Sequence, residues 1–122
     1  MKKEECLFCK MVKGEIPCTK VYESEKVLAF EDINPCSKVH TLVIPKEHYD
    51  SLSDDVPKDI LGELLHVASE VAKIKGNDSS GYRVSINTGS DGGQSVGHLH
   101  LHINGGEKLY TGKIADRFVK QK

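Results

Sequence analysis

Apolar and polar residues alternate strictly along His98-Leu99-His100-Leu101-His102-Ile103. As a β-strand, that pattern sends the three histidines to one face and the three aliphatic side chains to the other. Same-face side chains would then sit roughly 6.6 Å apart, at about 3.3 Å per residue. Further strands are predicted at Lys20-Val21-Tyr22-Glu23 and Val27-Leu28-Ala29-Phe30-Glu31, joined by the turn Ser24-Glu25-Lys26. Another covers His40-Thr41-Leu42-Val43-Ile44, ended by Pro45, and one more covers residues 82–87. A helical period stands out once. Ile60, Leu61, Leu64, Leu65, Ala68, Val71 and Ala72 recur at spacings of three and four and form one apolar stripe. Pro57 suits the first turn of that helix, Asp54 and Asp55 its positive end, and Gly76-Asn77 its stop. Residues 6–12 read as a short helical turn, stopped by Gly14 and by Ile16-Pro17.

Short gaps between neighbouring strands favour antiparallel pairing over crossover connections. The predicted class is α+β: an antiparallel sheet with one long helix packed on one face, plus a short N-terminal helix. In this plan Leu99, Leu101 and Ile103 face the long helix, and the histidines face the opposite, open side. A chain of 122 residues fits one domain. No repeat or linker divides it, and residues 108–122 are weakly patterned.

Charge narrows the partners. With 17 basic and 18 acidic residues the net charge is -1, which argues against general binding to a DNA or RNA backbone. A single nucleotide is still possible, because a local site can meet its few charges. Met1-Lys2-Lys3-Glu4-Glu5 turns acidic with no apolar stretch behind it. The expectation is no signal peptide, no membrane span and a cytoplasmic location. There the 4 cysteines are thiols or metal ligands rather than disulfides. Cys18 and Cys36 read as ordinary small side chains.

The chemistry gathers around the histidines. Three imidazoles in a row can meet a phosphate or a metal, although an exposed polar strand face gives the same alternation. Just upstream lies Gly89-Ser90-Asp91-Gly92-Gly93-Gln94-Ser95. Glycines such as Gly93 let backbone N–H groups approach an anion closely, and Gln94 and Ser95 add donors. Asn87 ends the strand that enters this loop, and Asp32, after the Phe30 strand, can bind hydroxyls. Cys6 and Cys9 form a C-x-x-C pair, which needs two distant histidines to close a tetrahedral zinc site. His48 and His98 are the candidates, while His66 in the long helix reads as structural. Spacing alone leaves zinc evenly balanced. A thioredoxin-like redox pair is the weaker alternative, because no strand of a βαβ unit precedes it.

His98-Leu99-His100-Leu101-His102-Ile103-Asn104 resembles the histidine triad (HIT) motif, H-φ-H-φ-H-φ-φ with φ apolar. The segment Gly89-Ser90-Asp91-Gly92-Gly93-Gln94-Ser95-Val96 is similar to the same region in the Hint branch of that family. The resemblance extends over Cys6-Leu7-Phe8-Cys9-Lys10, Gly14-Glu15-Ile16-Pro17, Leu28-Ala29-Phe30, Asp32-Ile33 and His40-Thr41-Leu42-Val43-Ile44-Pro45-Lys46. It makes the chain a single domain with a core of about residues 5–106 and a divergent tail at 107–122. It implies a homodimer whose two sheets join into one, a purine nucleotide site, and hydrolysis or transfer chemistry on nucleoside phosphoramidates such as adenosine 5'-phosphoramidate.

Carried over by position, His100 is the nucleophile, and His40 and His102 flank the α-phosphate. Asn87, Gly93, Gln94 and Ser95 hold phosphate oxygens or the leaving group, and Asp32 holds the ribose. Leu7, Phe8, Phe30, Ile33 and Leu42 line the base pocket. Members with the C-x-x-C pair bind zinc, which implies Cys6, Cys9, His48 and His98 as structural ligands. Three positions depart from the pattern: Asn104 takes the last φ position, Gly97 stands where a bulky residue is common, and the tail after Gly106 lacks the aromatic, Pro-containing end. Two readings from other classes stay open. One is a zinc hydrolase using the three triad histidines as ligands. The other is a nucleotide-binding regulatory protein with little turnover.

Overall fold

The computed structural model describes residues 5–109, so most of the weakly patterned tail lies outside the described residues. The elements run α1 (Leu7–Val12), β1 (Lys20–Glu23), β2 (Val27–Glu31), β3 (Val39–Pro45), α2 (Lys58–Ile74), β4 (Arg83–Ile86) and β5 (Leu101–Gly105). The strands form one 5-stranded antiparallel sheet in the order β1-β2-β3-β5-β4. This is the α+β class read from the sequence.

Alternation along the strands feeds two cores. Val27, Ala29, Val43, Leu99, Leu101 and Ile103 pack beneath α2, against Ile60, Leu64, Val67, Ala68 and Val71. Their neighbours Leu28, Phe30, Leu42 and Ile44 point to the other face and pack with Cys6, Phe8 and Cys9 of the α1 region. Period-two geometry makes the division unavoidable once both faces are covered. Each aliphatic side chain so buried contributes about 1.5–3 kcal/mol before the entropy of ordering it.

That second core corrects one expectation. The histidine face is not open, because α1 lies over it: His98 is 0% and His100 4% exposed. A six-residue helix is too short for its apolar residues to show a period, so its reach was hidden. The histidine strand is also shorter than the alternation suggests. The chain bends at residues 96–98 and the sheet ladder begins at Leu101, opposite Val43 and Ile86. Leu99 instead donates its N–H to the carbonyl of Tyr49 at 2.7 Å. The in-and-out alternation nevertheless persists, since Leu99 joins the α2 core.

Helix α2 buries Ile60, Leu64, Val67, Ala68, Val71 and Ala72. Leu65, which the stripe included, is 57% exposed. It lies about 100° around the helix from Leu64, and Val67 takes the inward place instead. Pro57 caps the helix from one position before it, and Asp59 is the acidic residue of its first turn. Gly76 ends it with φ +79, a left-handed conformation that glycine adopts without a Cβ penalty. The turn packs closely on β5: a Cβ added at Gly105 would lie 2.7 Å from Asn77 Nδ2. At the same end of the sheet, Lys75 pairs with Glu31, which also accepts from Thr41 Oγ1 at 3.0 Å.

Asn104 finds use at its unusual place. It sits opposite His40 in the ladder and donates Nδ2–H to Ser37 Oγ at 2.9 Å, holding the segment before β3.

Candidate functional site

The face beneath α1 holds two adjoining clusters of chemistry-bearing side chains. The first unites Cys6, Cys9, His48 and His98, each offering one ligand atom, all within 4.8 Å of one another. Cys6 occupies the N-cap of α1, where its sulfur accepts the Cys9 N–H at 3.4 Å. One helical turn therefore brings both sulfurs to the same end. His48 follows β3 and His98 precedes β5, so antiparallel pairing of those strands brings the two imidazoles together, with ring centroids 4.9 Å apart. His98 Nδ1 lies 3.3 Å from Cys6 Sγ and 3.6 Å from Cys9 Sγ, and His48 Nδ1 lies 3.2 Å from Cys9 Sγ.

The other nitrogen of each ring decides its tautomer. His98 Nε2–H donates to the Pro45 carbonyl at 2.9 Å, and His48 Nε2–H donates to Asp50 Oδ1 at 2.7 Å. Both Nδ1 lone pairs therefore face the sulfurs. Burial, opposed by the bond to Pro45, pushes the His98 pKa down to about 4 and keeps the ring neutral. Two thiols and two neutral imidazoles form a donor set that suits zinc. With Zn–S near 2.3 Å and Zn–N near 2.0–2.1 Å, a tetrahedral site has N···S edges of about 3.6 Å. The observed separations fit that figure with small contractions.

The second cluster contains His40, His100, His102 and Asp32. His100 Nδ1–H donates to the carbonyl of His98 at 2.7 Å, leaving its Nε2 lone pair available. Cys36 N–H donates to His40 Nδ1 at 3.1 Å, so the neutral His40 ring carries its proton on Nε2. That proton goes to His102 Nδ1 at 2.9 Å, which leaves His102 an N–H donor at Nε2. Asp32 Oδ2 stands 3.4 Å from His40 Nε2. The rings of His100 and His102 are 5.0 Å apart, and Phe8 meets His100 edge-on at 5.4 Å.

Burial is the main cause of a lowered pKa at each of these histidines. His102 is pushed down to about 4, with His100 and His40 adding repulsion. His100 is lowered, with the bond to the His98 carbonyl opposing. His40 is lowered too, with Asp32 and Glu31 opposing. A neutral imidazole with a free Nε2 is the nucleophilic form.

Asp32, His40 and His102 also lie close enough together to be considered as a metal site. The tautomers speak against it, since His40 Nε2 carries a proton where a metal needs a lone pair. The triad is thereby split. Among the described residues His98 falls in the possible metal-ligand group with Cys6, Cys9 and His48, His102 in the one with Asp32 and His40, and His100 in neither group. That arrangement disfavours a zinc hydrolase built on all three.

The loop upstream folds tightly. A Cβ at Gly92 would lie 2.4 Å from the carbonyl oxygen of Thr88, so only glycine fits there. Gln94, expected as a phosphate donor, turns to the backbone: Nε2 donates to the carbonyls of Asp50 at 2.7 Å and Val96 at 2.9 Å, and Oε1 accepts Gly89 N–H at 2.9 Å. Gly93 N–H is likewise directed to the Ser90 carbonyl at 3.1 Å. Ser95 is exposed, three residues before His98 in the chain, and Asn87 follows β4 half-buried.

The expected base-pocket residues divide. Phe30 and Ile33 line a cleft of about 310 Å³ together with Met11, Pro17 and Cys18. Phe8 and Leu42 are buried beneath the site, and Leu7 is 41% exposed. Sequence reasoning missed Met11, whose signal was its place one helical turn from Leu7 and Phe8. It also missed Asp50, which only its spacing of two from His48 could have suggested.

The family model described as HIT domain matches residues 13–109. The 14 kDa zinc-binding protein of Zea mays is 50% identical over 108 residues, covering 84% of this chain and 83% of that protein. A histidine triad protein from Clostridium difficile superposes with a TM-score of 0.87 at 52% identity, covering 93% of this chain and 100% of its own. A HIT family hydrolase from Legionella pneumophila Philadelphia 1 does so with a TM-score of 0.82 at 43% identity, covering 87% and 96%.

Proposed function

The chain belongs to the HIT domain family, and from that membership we propose that it is a purine nucleotide-binding hydrolase or nucleotidyl transferase of the Hint type. Its substrates are nucleoside phosphoramidates such as adenosine 5'-phosphoramidate. The observation that carries this reading is the His100 ring, with Nδ1–H fixed on the His98 carbonyl at 2.7 Å and Nε2 unprotonated.

In the first step, His100 Nε2 attacks the α-phosphorus and forms a P–N bond. The bond to the leaving amine breaks, and the amine departs with a proton relayed through the Ser95 hydroxyl. Water then attacks the same phosphorus, the bond to Nε2 breaks, and the nucleoside monophosphate leaves. Charge on the nonbridging oxygens is met by His102 Nε2–H, which His40 orients through its bond to His102 Nδ1. Gln94 holds the loop, Asn87 the phosphate end, and Asp32 takes the ribose hydroxyls. Phe30, Ile33 and Leu42 accommodate the base with Leu7 and Phe8, and Met11 joins them.

The test is a rapid acid-free quench of the reaction with adenosine 5'-phosphoramidate, followed by mass spectrometry of peptides. One added nucleotidyl group is expected on His100. Nucleoside monophosphate binding without turnover or adduct would instead favour a regulatory protein.

Cys6, Cys9, His48 and His98 would hold zinc. Bound there, the ion would be structural, since four protein ligands leave no position for water. The similarity to a zinc-binding protein of Zea mays supports this assignment.

A homodimer and a cytoplasmic location complete the proposal. Among the described residues, no helix is long and apolar enough to cross a membrane. Strand β4 ends the sheet, and beside it Leu52, Leu61, Leu65 and Ile86 line an apolar cleft of about 220 Å³. A second copy docking there would extend the sheet and cover Leu65. Light scattering is expected to give twice the chain mass of 13.5 kDa, and a monomer at micromolar concentration would refute the dimer.

A further inference from the structure

Three consecutive residues, His48, Tyr49 and Asp50, each engage a different part of the site. The His48 side chain joins the cysteine cluster, with Nδ1 3.2 Å from Cys9 Sγ. The Tyr49 carbonyl accepts the N–H of Leu99 at 2.7 Å, between His98 and the nucleophile His100. Asp50 acts twice. Its carboxylate accepts His48 Nε2–H at 2.7 Å, and its carbonyl accepts Gln94 Nε2–H at 2.7 Å. Gln94 in turn holds both ends of the glycine loop, through Gly89 N–H and the Val96 carbonyl. None of residues 46–51 or 87–100 belongs to a helix or strand, so no ladder fixes either segment. Their mutual register rests on these few bonds and on the packing of Tyr49 and Leu99 in the α2 core.

We propose that Asp50 is a positioning residue that couples the metal cluster to the phosphate-facing loop, so that an ion on His48 raises affinity for nucleotide. The inference rests on the zinc assignment made above. An ion on Nδ1 fixes the His48 ring, and hence the direction of Nε2–H. The fixed N–H locks the Asp50 carboxylate, which is otherwise 55% exposed and held from its own side chain by this bond alone among the described residues. Asp50 N–H is meanwhile anchored on Asp54 Oδ2 at 2.6 Å, so locking the side chain fixes the whole peptide, including the carbonyl that Gln94 uses. Without the ion the ring rotates more freely, Asp50 loosens, and the loop loses the anchor that sets its shape. The effect is reciprocal by thermodynamic linkage: nucleotide must tighten metal binding by the same factor.

The experiment uses the full chain and reads binding, not turnover. Zinc affinity is measured by competition with a chromophoric chelator, with and without saturating AMP. AMP affinity is measured by calorimetry on zinc-loaded and metal-free protein. In the wild type both ratios are expected to agree, at about 5-fold or more, within the usual range of coupling between sites. Asp50→Ala is expected to lower zinc affinity about 10–100-fold, the usual effect of removing the carboxylate behind a histidine ligand. It should also bring both ratios close to one. Asp50→Asn keeps an oxygen acceptor for His48 Nε2–H and should retain most of the zinc affinity and the coupling. Circular dichroism monitors the fold throughout, and the wild-type ratios stand even where Asp50→Ala does not fold.

Ratios near one in a wild type that binds zinc would overturn the inference and leave the zinc assignment intact. An unchanged ratio in folded Asp50→Ala would do the same. A wild type without zinc affinity would overturn both, and a metal-free chain that unfolds would show coupling through global folding rather than through Asp50.

Discussion

Replacing His100 with alanine is expected to lower turnover of adenosine 5'-phosphoramidate by roughly 10⁴-fold or more, the scale seen when a covalent nucleophile is removed. AMP affinity should change by less than about 3-fold, because the groups assigned to phosphate and ribose stay in place. The reason lies in which His100 atoms are engaged. Its Nδ1–H is spent on the His98 carbonyl, and its ring packs edge-on beneath Phe8 at 5.4 Å. What faces substrate is one lone pair, and a lone pair offers an anionic phosphate no attraction in the ground state. Its contribution appears only when the bond to phosphorus forms, so the loss falls on kcat. The pairing of His40 with His102 does not involve His100, so that donor should survive the change. Steady-state kinetics with AMP as competitive inhibitor gives both quantities. Turnover within ten-fold of wild type would exclude His100 as nucleophile, and a matching loss of AMP binding would make it a binding residue.

Cys9→Ala is expected to give protein free of stoichiometric zinc and markedly less heat-stable. An ion held at a free concentration a thousandfold above its dissociation constant stabilises the folded chain by about 4 kcal/mol. For a domain of this size that corresponds to a fall in Tm of about 15 °C or more. Chelation of the wild type should lower Tm by a similar amount. The fold should persist in both cases, since the α2 core lies on the opposite face of the sheet from the cysteines. Turnover should also persist at a reduced level, because the atoms assigned to chemistry are not metal ligands. Metal analysis, differential scanning calorimetry and a turnover assay on one preparation check all three. Complete loss of activity on chelation, with the fold retained, would return the zinc hydrolase reading to favour.

Much of the architecture was legible because it rests on local patterns. Apolar and β-branched runs bounded by turn residues and proline marked β1, β2 and β3 to within a residue or two, and spacings of three and four marked α2. Pairing of non-neighbouring strands, β3 with β5, could not be read this way, and it brings His48 to His98. Coverage of the histidine face was hidden as well. It depends on α1, whose Phe8 is only one residue in a short segment, yet its ring meets those of His98 and His100, whose pKa values burial lowers. Residue types pointed to the cysteine and histidine clusters. Tautomers were out of reach, since they follow from the backbone carbonyls of Pro45 and His98 and from the Cys36 N–H. Gln94 shows the same limit: its residue type advertises a donor to ligand, while its geometry commits both donors to the main chain.

His98 serves the molecule through three separate atoms. Nδ1 faces the sulfurs, Nε2–H satisfies the Pro45 carbonyl, and the backbone oxygen holds the proton of His100. Selection on this position therefore does not depend on the ion alone. A descendant that lost Cys6 and Cys9 would gain little by replacing His98, because the buried Pro45 carbonyl would lose its partner. The cysteine pair can be shed in evolution while the histidine stays, and the first histidine of the motif can outlast the proposed metal site.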